Sequence, residues 1–286
     1  MTKSAILQLS SSDDPSENLK NIKTLVEKAA AAGAGFVLTP EISNCVSTSR
    51  SQQRDVLSLQ ENDPTLAALR EQAGKLGIWL LIGSLGLKTG DPDGRFANRS
   101  FLIRPNGQIG AWYDKIHMFD VQVTPEETYR ESDGYRPGNR AVVADTPFGK
   151  IGMSICYDVR FAHLYQALAQ AGATILTVPA AFSYVTGAAH WHALLRARAI
   201  ETGCYVLAPA QTGVHSGTKG QRRRTYGHSL VVSPWGEILL DGGTEPGIHM
   251  FDLDTAAVVD ARRKVPSLSH VRPFNKPVVA GQHDDG

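Results

Sequence analysis

A carboxylate, an amine and a thiol stand at three points of this chain where nothing in the local pattern requires them. Glu41 follows the apolar run Phe36-Val37-Leu38 through Thr39-Pro40. A carboxylate at the end of a buried strand sits where α/β sheets commonly place their sites. Lys115, in Asp114-Lys115-Ile116-His117, leaves the run Ile109 to Tyr113 among apolar and aromatic neighbours. Cys156 ends the run Ile151 to Ile155, after which Tyr157-Asp158-Val159-Arg160 turns sharply towards a helix. Brought together, the three would form an activated nucleophile. A free thiol has a pKa of about 8.5 and needs a base or a cation beside it; Glu41 offers the first and Lys115 the second. Taken singly, each has an ordinary reading: a solvated loop Glu, a Lys whose stem snorkels over apolar surface, a small buried thiol.

Other candidates are weaker. Arg222, Arg223 and Arg224 lie in a Gly-rich stretch that reads as a solvated loop, with recognition of a carboxylated substrate as the alternative, a task Arg serves well. His190 and His192 form an H-x-H pair, but on a helix positions i and i+2 point apart, so no metal is expected there. Cys45 and Cys204 read as buried thiols, and no C-x-x-C pair is present. Gly107, Gly149 and Gly152 fall singly in turns and strands, so no phosphate-cradling loop is expected.

The elements that must position these residues alternate. Strand patterns at Ala5–Leu9, Phe36–Leu38 and Ile78–Ile82 are separated by helical patterns that open at Pro15 and Pro64. Ala97 to Arg104 and Ile109 to Tyr113 flank a hairpin turn at Pro105-Asn106-Gly107. Residues 114–139 form a long irregular stretch, and a loop of that length inside a compact domain is usually functional. Strands then recur at Ala141–Ala144, Ile151–Ile155, Ile175–Val178 and Tyr205–Ala208, with helices over Phe161–Ala171 and Ala188–Thr202. A last hairpin, Ser229–Ser233 with Ile238–Leu240, turns at Pro234-Trp235-Gly236-Glu237. Alternation of this kind builds a layered α/β domain. We read one domain over 1–274 and a Gly/His/Asp-rich tail over 275–286. With 29 Lys plus Arg against 28 Asp plus Glu, the net charge of +1 argues against a dedicated nucleic-acid binder. No apolar run reaches the roughly 18 residues of a membrane span, and the first residues lack the regions of a signal peptide. The expected address is therefore cytoplasmic, with no membrane and no nucleic-acid partner.

The ordered set Glu41, Lys115 and Cys156, spaced 74 and 41 residues apart, resembles the Glu-Lys-Cys triad of the nitrilase superfamily of carbon–nitrogen hydrolases. The likeness extends through Pro147-Phe148-Gly149-Lys150-Ile151-Gly152, Arg196-Ala197-Arg198-Ala199-Ile200-Glu201 and Tyr226-Gly227-His228-Ser229. Within the superfamily, Ala189 to Glu201, Ala208 to His215 and Thr225 to Gly236 resemble the Nit amidases, with the deaminated glutathione amidases closest. The resemblance implies an α-β-β-α sandwich, a homodimer or larger oligomer, and hydrolysis of a small carboxylated amide without metal or organic cofactor. Cys156 would form a thioester, releasing ammonia or leaving an amine-free acid. An omega-amidase acting on alpha-ketoglutaramate, a nitrilase, or a non-catalytic scaffold of the same fold are the alternatives. By the same resemblance Glu131, six residues before Pro137-Gly138, would position Lys115 or the substrate. The backbone N–H of Tyr157, directly after the thiol, is the expected second donor to a reaction oxyanion beside Lys115. Two departures from the family pattern bear on substrate detail: Ala162-His163 stands where Pro-Glu is usual, and Thr225 where Ser is common.

Overall fold

In the computed structural model, which describes residues 1–125, 127–217 and 223–277, the chain builds one six-stranded sheet, then a second, and returns to the first. The first half comprises β1 (Thr2–Gln8), α1 (Pro15–Ala31), β2 (Phe36–Leu38), α2 (Arg50–Val56), α3 (Pro64–Leu76), β3 (Trp79–Lys88), β4 (Phe96–Ile103) and β5 (Ile109–Asp114). A short ribbon, β6 (Asp120–Gln122) with β7 (Thr128–Arg130), crosses to β8 (Val142–Thr146), β9 (Gly149–Met153), α4 (Ala162–Gln170), β10 (Ile175–Thr177), α5 (Tyr184–Thr202) and β11 (Tyr205–Ala208). A second ribbon, β12 (Thr212–His215) with β13 (Arg223–Tyr226), precedes β14 (Leu230–Val232) and β15 (Ile238–Asp241). β16 (Gly247–Leu253) then pairs antiparallel with β1, and α6 (Ala256–Lys264) follows. The strand orders are β16-β1-β2-β3-β4-β5 and β15-β14-β11-β10-β9-β8.

Side-chain alternation sets the layers. In β1, Ala5 and Leu7 pack with Ile22 and Val26 of α1 and with Leu66 and Leu69 of α3. Ile6, one residue out of phase, joins Phe36, Leu38 and Leu81 against Ile151, Met153 and Leu176 of the second sheet. Trp191, Leu195 and Ala199 of α5 cover that sheet's far side. The result is helices, sheet, sheet, helices, the expected α-β-β-α sandwich. A one-residue slip in β1 would exchange these two faces, so register is fixed by burial on both sides.

The helix starts and stops follow local chemistry. Asp14 caps α1 by accepting from the Ser16 amide at 2.8 Å, with Pro15 pre-set for the first turn, and Gly33 ends it at φ +93°. Asp63 caps α3 from 2.7 Å, and Gly77, at φ +66°, ends it. Gly83 in β3 is required for close approach: a Cβ there would lie 1.9 Å from the Thr39 carbonyl oxygen and 2.6 Å from Pro179 Cβ. That contact brings the strand ends of the two sheets together under Glu41.

Several expectations need correction. α5 begins at Tyr184 rather than Ala188, and β3 runs on to Lys88. The irregular stretch after Asp114 contains, among the described residues, the ribbon β6–β7 and a 3-10 turn, Glu131–Asp133. The sequence pattern did not yield α2, β12, β13, β16 or α6. Arg223 and Arg224 belong to strand β13, not to a solvated loop, while Arg222 lies outside the described residues. Cys45 and Cys204 are buried as expected. Among the described residues no helix is long and apolar enough to cross a membrane.

Candidate active site

The three sequence-marked residues meet. Glu41 leaves β2, Lys115 leaves β5, and Cys156 opens a 3-10 turn, Cys156–Arg160, after β9. All three are buried, with relative exposures of 2, 2 and 6%. Lys115 Nζ lies 2.9 Å from Glu41 Oε1, and 2.9 and 2.8 Å from the two oxygens of Glu131. Glu131 also accepts from the Phe119 amide at 2.7 Å, so the Lys115 ammonium is held between two fixed carboxylates. They line a cavity of about 840 Å³, within the range of small-molecule sites, together with Tyr157, Arg50, Arg223 and Arg224.

The backbone is strained at the site. Cys156 has φ +47° and Ile42, next to Glu41, has φ +42°. Among the described residues His228 alone shares this conformation outside glycine. Such strain persists only where surrounding bonds over-determine it. At Cys156 those bonds come from Asp158, which is fully buried and accepts four of them: from the Ile155 amide (2.9 Å), the Tyr113 hydroxyl (2.7 Å), the His117 amide (3.0 Å) and His117 Nδ1 (2.7 Å). Asp158 thus ties the thiol's turn to the loop that carries Lys115. The Cys156 amide is spent on the Pro179 carbonyl at 2.9 Å and that of Asp158 on Ile155 at 3.1 Å. The Tyr157 amide between them has no acceptor among the described residues, as expected for the start of a turn.

Electrostatics separates the groups. Burial pushes the Glu41 carboxyl up, but the Lys115 ammonium and the Arg223 guanidinium outweigh it and hold Glu41 below the usual carboxylate range. Burial would lower Lys115, yet Glu131 and Glu41 raise it above an ordinary lysine. Cys156 goes well above a free thiol, through burial first and the Glu41 carboxylate second, with Lys115 opposing. The resting arrangement is therefore a neutral thiol beside an ionised carboxylate and a cation.

Sequence reasoning missed several parts. Asn98 donates to Glu41 Oε1 at 2.9 Å and the Ala181 amide to Oε2 at 2.7 Å. Asn98 sits in β4 beside Arg99 and Ser100, so its polarity alone does not mark it. Ala181 acts through its backbone and leaves no side-chain trace. The Thr225 hydroxyl lies 2.7 Å from His215 Nε2. Ala162 and His163 are exposed at the start of α4 and do not line the cavity. Arg223 donates to the Ala181 carbonyl at 2.7 Å, while its buried Nε has no partner among the described residues. Arg224 stacks over Tyr184 at 3.6 Å.

A buried thiol, a carboxylate and an ammonium thus meet at the strand ends of a four-layer sandwich. The chain belongs to the carbon–nitrogen hydrolase family, which it matches over residues 3–263. It is 40% identical over 270 residues to a deaminated glutathione amidase of Yersinia enterocolitica, covering 94% of this chain and 92% of that one. Its structure superposes on the C. elegans NitFhit protein with a TM-score of 0.88 at 34% identity; the match covers 95% of this chain and 65% of that one. It also resembles an amidase of Nesterenkonia sp. AN1 (TM-score 0.75, 27% identity, 93% of this chain and 98% of that one), which was solved with acrylamide added to its active-site cysteine.

Proposed function

We propose that the protein is an amidase that hydrolyses a small carboxylated amide of the deaminated-glutathione type through a thioester on Cys156. The observation that carries the substrate class is Arg223, a guanidinium on the wall of the Cys156 cavity whose buried Nε has no partner among the described residues. A planar fork of this kind suits a carboxylate. Arg224 and Arg50 add positive charge to the same cavity, whereas Glu41 and Glu131 are already bonded to Lys115. The names of the relatives and the cysteine chemistry of the Nesterenkonia amidase support this reading.

The proposed steps use the groups that line the cavity around Cys156. As Cys156 Sγ attacks the amide carbon, Glu41 takes the thiol proton. Lys115 has three N–H donors. One goes to Glu41 and one is shared by the oxygens of Glu131, which leaves a third for the developing oxyanion. The Tyr157 amide supplies the second donor. Glu41 then gives its proton to the leaving nitrogen, the C–N bond breaks, and an amine departs: ammonia from a primary amide, cysteinylglycine from deaminated glutathione. Water next attacks the thioester as Glu41 takes its proton, and Glu41 passes that proton to the departing sulfur as the C–S bond breaks, which returns the thiol and releases the acid. Splitting the reaction this way replaces one difficult step by two easier ones.

The test compares kcat/KM for deaminated glutathione and its methyl esters, and for alpha-ketoglutaramate and a neutral amide of equal length, reading the released amine. A buried charge-assisted hydrogen bond contributes about 1.5–3 kcal/mol, so the neutral partners should be slower by roughly 10- to 150-fold. Arg223→Gln should remove most of that preference. Equal kcat/KM for acid and ester would overturn recognition of a carboxylate.

A further inference from the structure

On the outer side of α5, away from the cavity, three side chains from three separate segments converge. His192 projects from α5, His228 from the loop between β13 and β14, and Asp241 from the end of β15. His192 Nε2 lies 3.0 Å from Asp241 Oδ2, and His228 Nδ1 lies 2.8 Å from Asp241 Oδ1. The three ligand atoms all fall within 4.8 Å of one another. We propose that they form a binding site for one divalent transition-metal ion of the zinc, cobalt or nickel class, separate from the thiol and taking no part in the hydrolysis.

The donor set argues for that class of ion. Two imidazole nitrogens and one carboxylate suit Zn²⁺ and its neighbours, and leave room for water at the remaining positions. Ca²⁺ takes six to eight oxygen ligands, which this group does not offer. Access is open, since the side chains of His192, His228 and Asp241 are 31, 24 and 35% exposed. H-x-H remains a poor pair, because His190 turns away to Arg160 at 3.3 Å. The partners of His192 lie 36 and 49 residues further along the chain, so the group exists only in the fold.

A second observation concerns the backbone. His228, at φ +53°, is the one left-handed non-glycine residue that lies away from the cavity among the described residues. Its amide donates to the Gly243 carbonyl at 2.7 Å and its carbonyl accepts from Trp191 Nε1 at 2.8 Å. Asp241 Oδ1 also accepts from the Gly243 amide at 2.9 Å. The imidazole and the carboxylate are therefore oriented before any ion arrives, and pre-organised ligands lose little freedom on binding. Coordination would move each imidazole proton to the ring's other nitrogen. The bound ion would pin α5 to the β14–β15 hairpin. It would also touch the cavity wall indirectly: Tyr226 stacks on His228 at 4.4 Å and meets, at 6.0 Å, the Tyr184 ring that lines the cavity.

The experiment is calorimetric titration of Zn²⁺ into the untagged, chelator-treated full chain, with Co²⁺ absorption in parallel. One equivalent should bind with a Kd in the range of about 1–10 µM or tighter. Near a hundredfold excess over Kd, the Tm should rise by about 4–8 °C. His192→Gln and Asp241→Asn should each weaken binding at least about tenfold and remove the rise in Tm. His192 is a partly exposed position on a helix, so its variant carries the test should Asp241→Asn fail to fold. No saturable binding below about 1 mM would overturn the proposal, as would stoichiometric binding that His192→Gln retains. A cobalt spectrum with a sulfur charge-transfer band would place the ion on a thiol and also overturn it. None of these readouts depends on the amidase reaction, so failure of one reading is separable from failure of the other.

Discussion

At the thiol, charge decides the order of events. Glu41 and Glu131 flank a single ammonium, so ionising Cys156 in advance would add a second net negative charge to a buried cluster. On the proposed mechanism the proton leaves the thiol only as the carbon–sulfur bond forms, with Glu41 as its acceptor. Two predictions belong here. Because Glu41 titrates below the usual carboxylate range and Lys115 above an ordinary lysine, kcat/KM should stay flat from about pH 8 down to about pH 5. It should fall only as Glu41 takes up a proton at still lower pH. A rate that climbs with pH through about 8.5 would mean that a free thiolate must form first. Lys115→Met keeps the apolar stem and removes the oxyanion donor, so kcat should drop by about 10²-fold or more. A variant that keeps over about a tenth of the wild-type kcat would contradict that role. Glu41, Lys115 and Cys156 each follow an apolar run, a weak signal singly, and were legible as a set through the resemblance of their order and spacing to the family's triad. Asp158 and Asn98 were not: an Asp in a turn and an Asn in a strand look ordinary until their partners, which are distant in sequence, are in view.

The elements hold these atoms through a few close contacts. Gly83→Ala would drive a Cβ into the Thr39 and Pro40 carbonyls, so the segment that carries Glu41 must shift. We expect a destabilisation of roughly 2–4 kcal/mol with a loss of activity at temperatures where the variant remains folded, checked by denaturant unfolding and assay. The ribbon β12–β13 is anchored by His215, whose Nδ1 donates to the Ser11 carbonyl at 2.8 Å while Nε2 accepts from Thr225 at 2.7 Å. Burial lowers the His215 pKa to about 4. Between about pH 6.5 and 4 the unfolded chain binds a proton that the folded chain refuses, so this group makes stability fall as pH falls through that window. The full effect is about 3 kcal/mol. His215→Gln should flatten the corresponding slope of unfolding free energy against pH; an unchanged slope would show that other groups set it. The core strands and α4 were legible from apolar spacing, and α1 and α3 from spacing and capping residues that agree. β13 was not, since Arg223-Arg224-Thr225-Tyr226 has no apolar alternation and gains its order from pairing with β12 and from the Ala181 carbonyl.

At the scale of the whole molecule, β16 closes the first sheet by pairing with β1 about 240 residues away, a pairing that no local pattern announces. Ile200, Trp235 and Leu239 remain about half exposed on the α5 side of the second sheet. Exposed apolar clusters mark association surfaces. We expect a homodimer in solution, and Ile200→Asp should shift it towards monomer in light scattering; a wild-type chain that runs as a 30.9 kDa monomer would contradict this. The central claim, that an amide is opened by Cys156 with its acyl group carried on sulfur, is tested most directly by rapid acid quench of the enzyme turning over deaminated glutathione, followed by peptide mass spectrometry. The account predicts a 2-oxoglutaryl adduct confined to the Cys156 peptide, present during turnover and absent once substrate is consumed, with Cys156→Ala showing neither adduct nor product. Full turnover by Cys156→Ala, or an adduct on another residue, would contradict it.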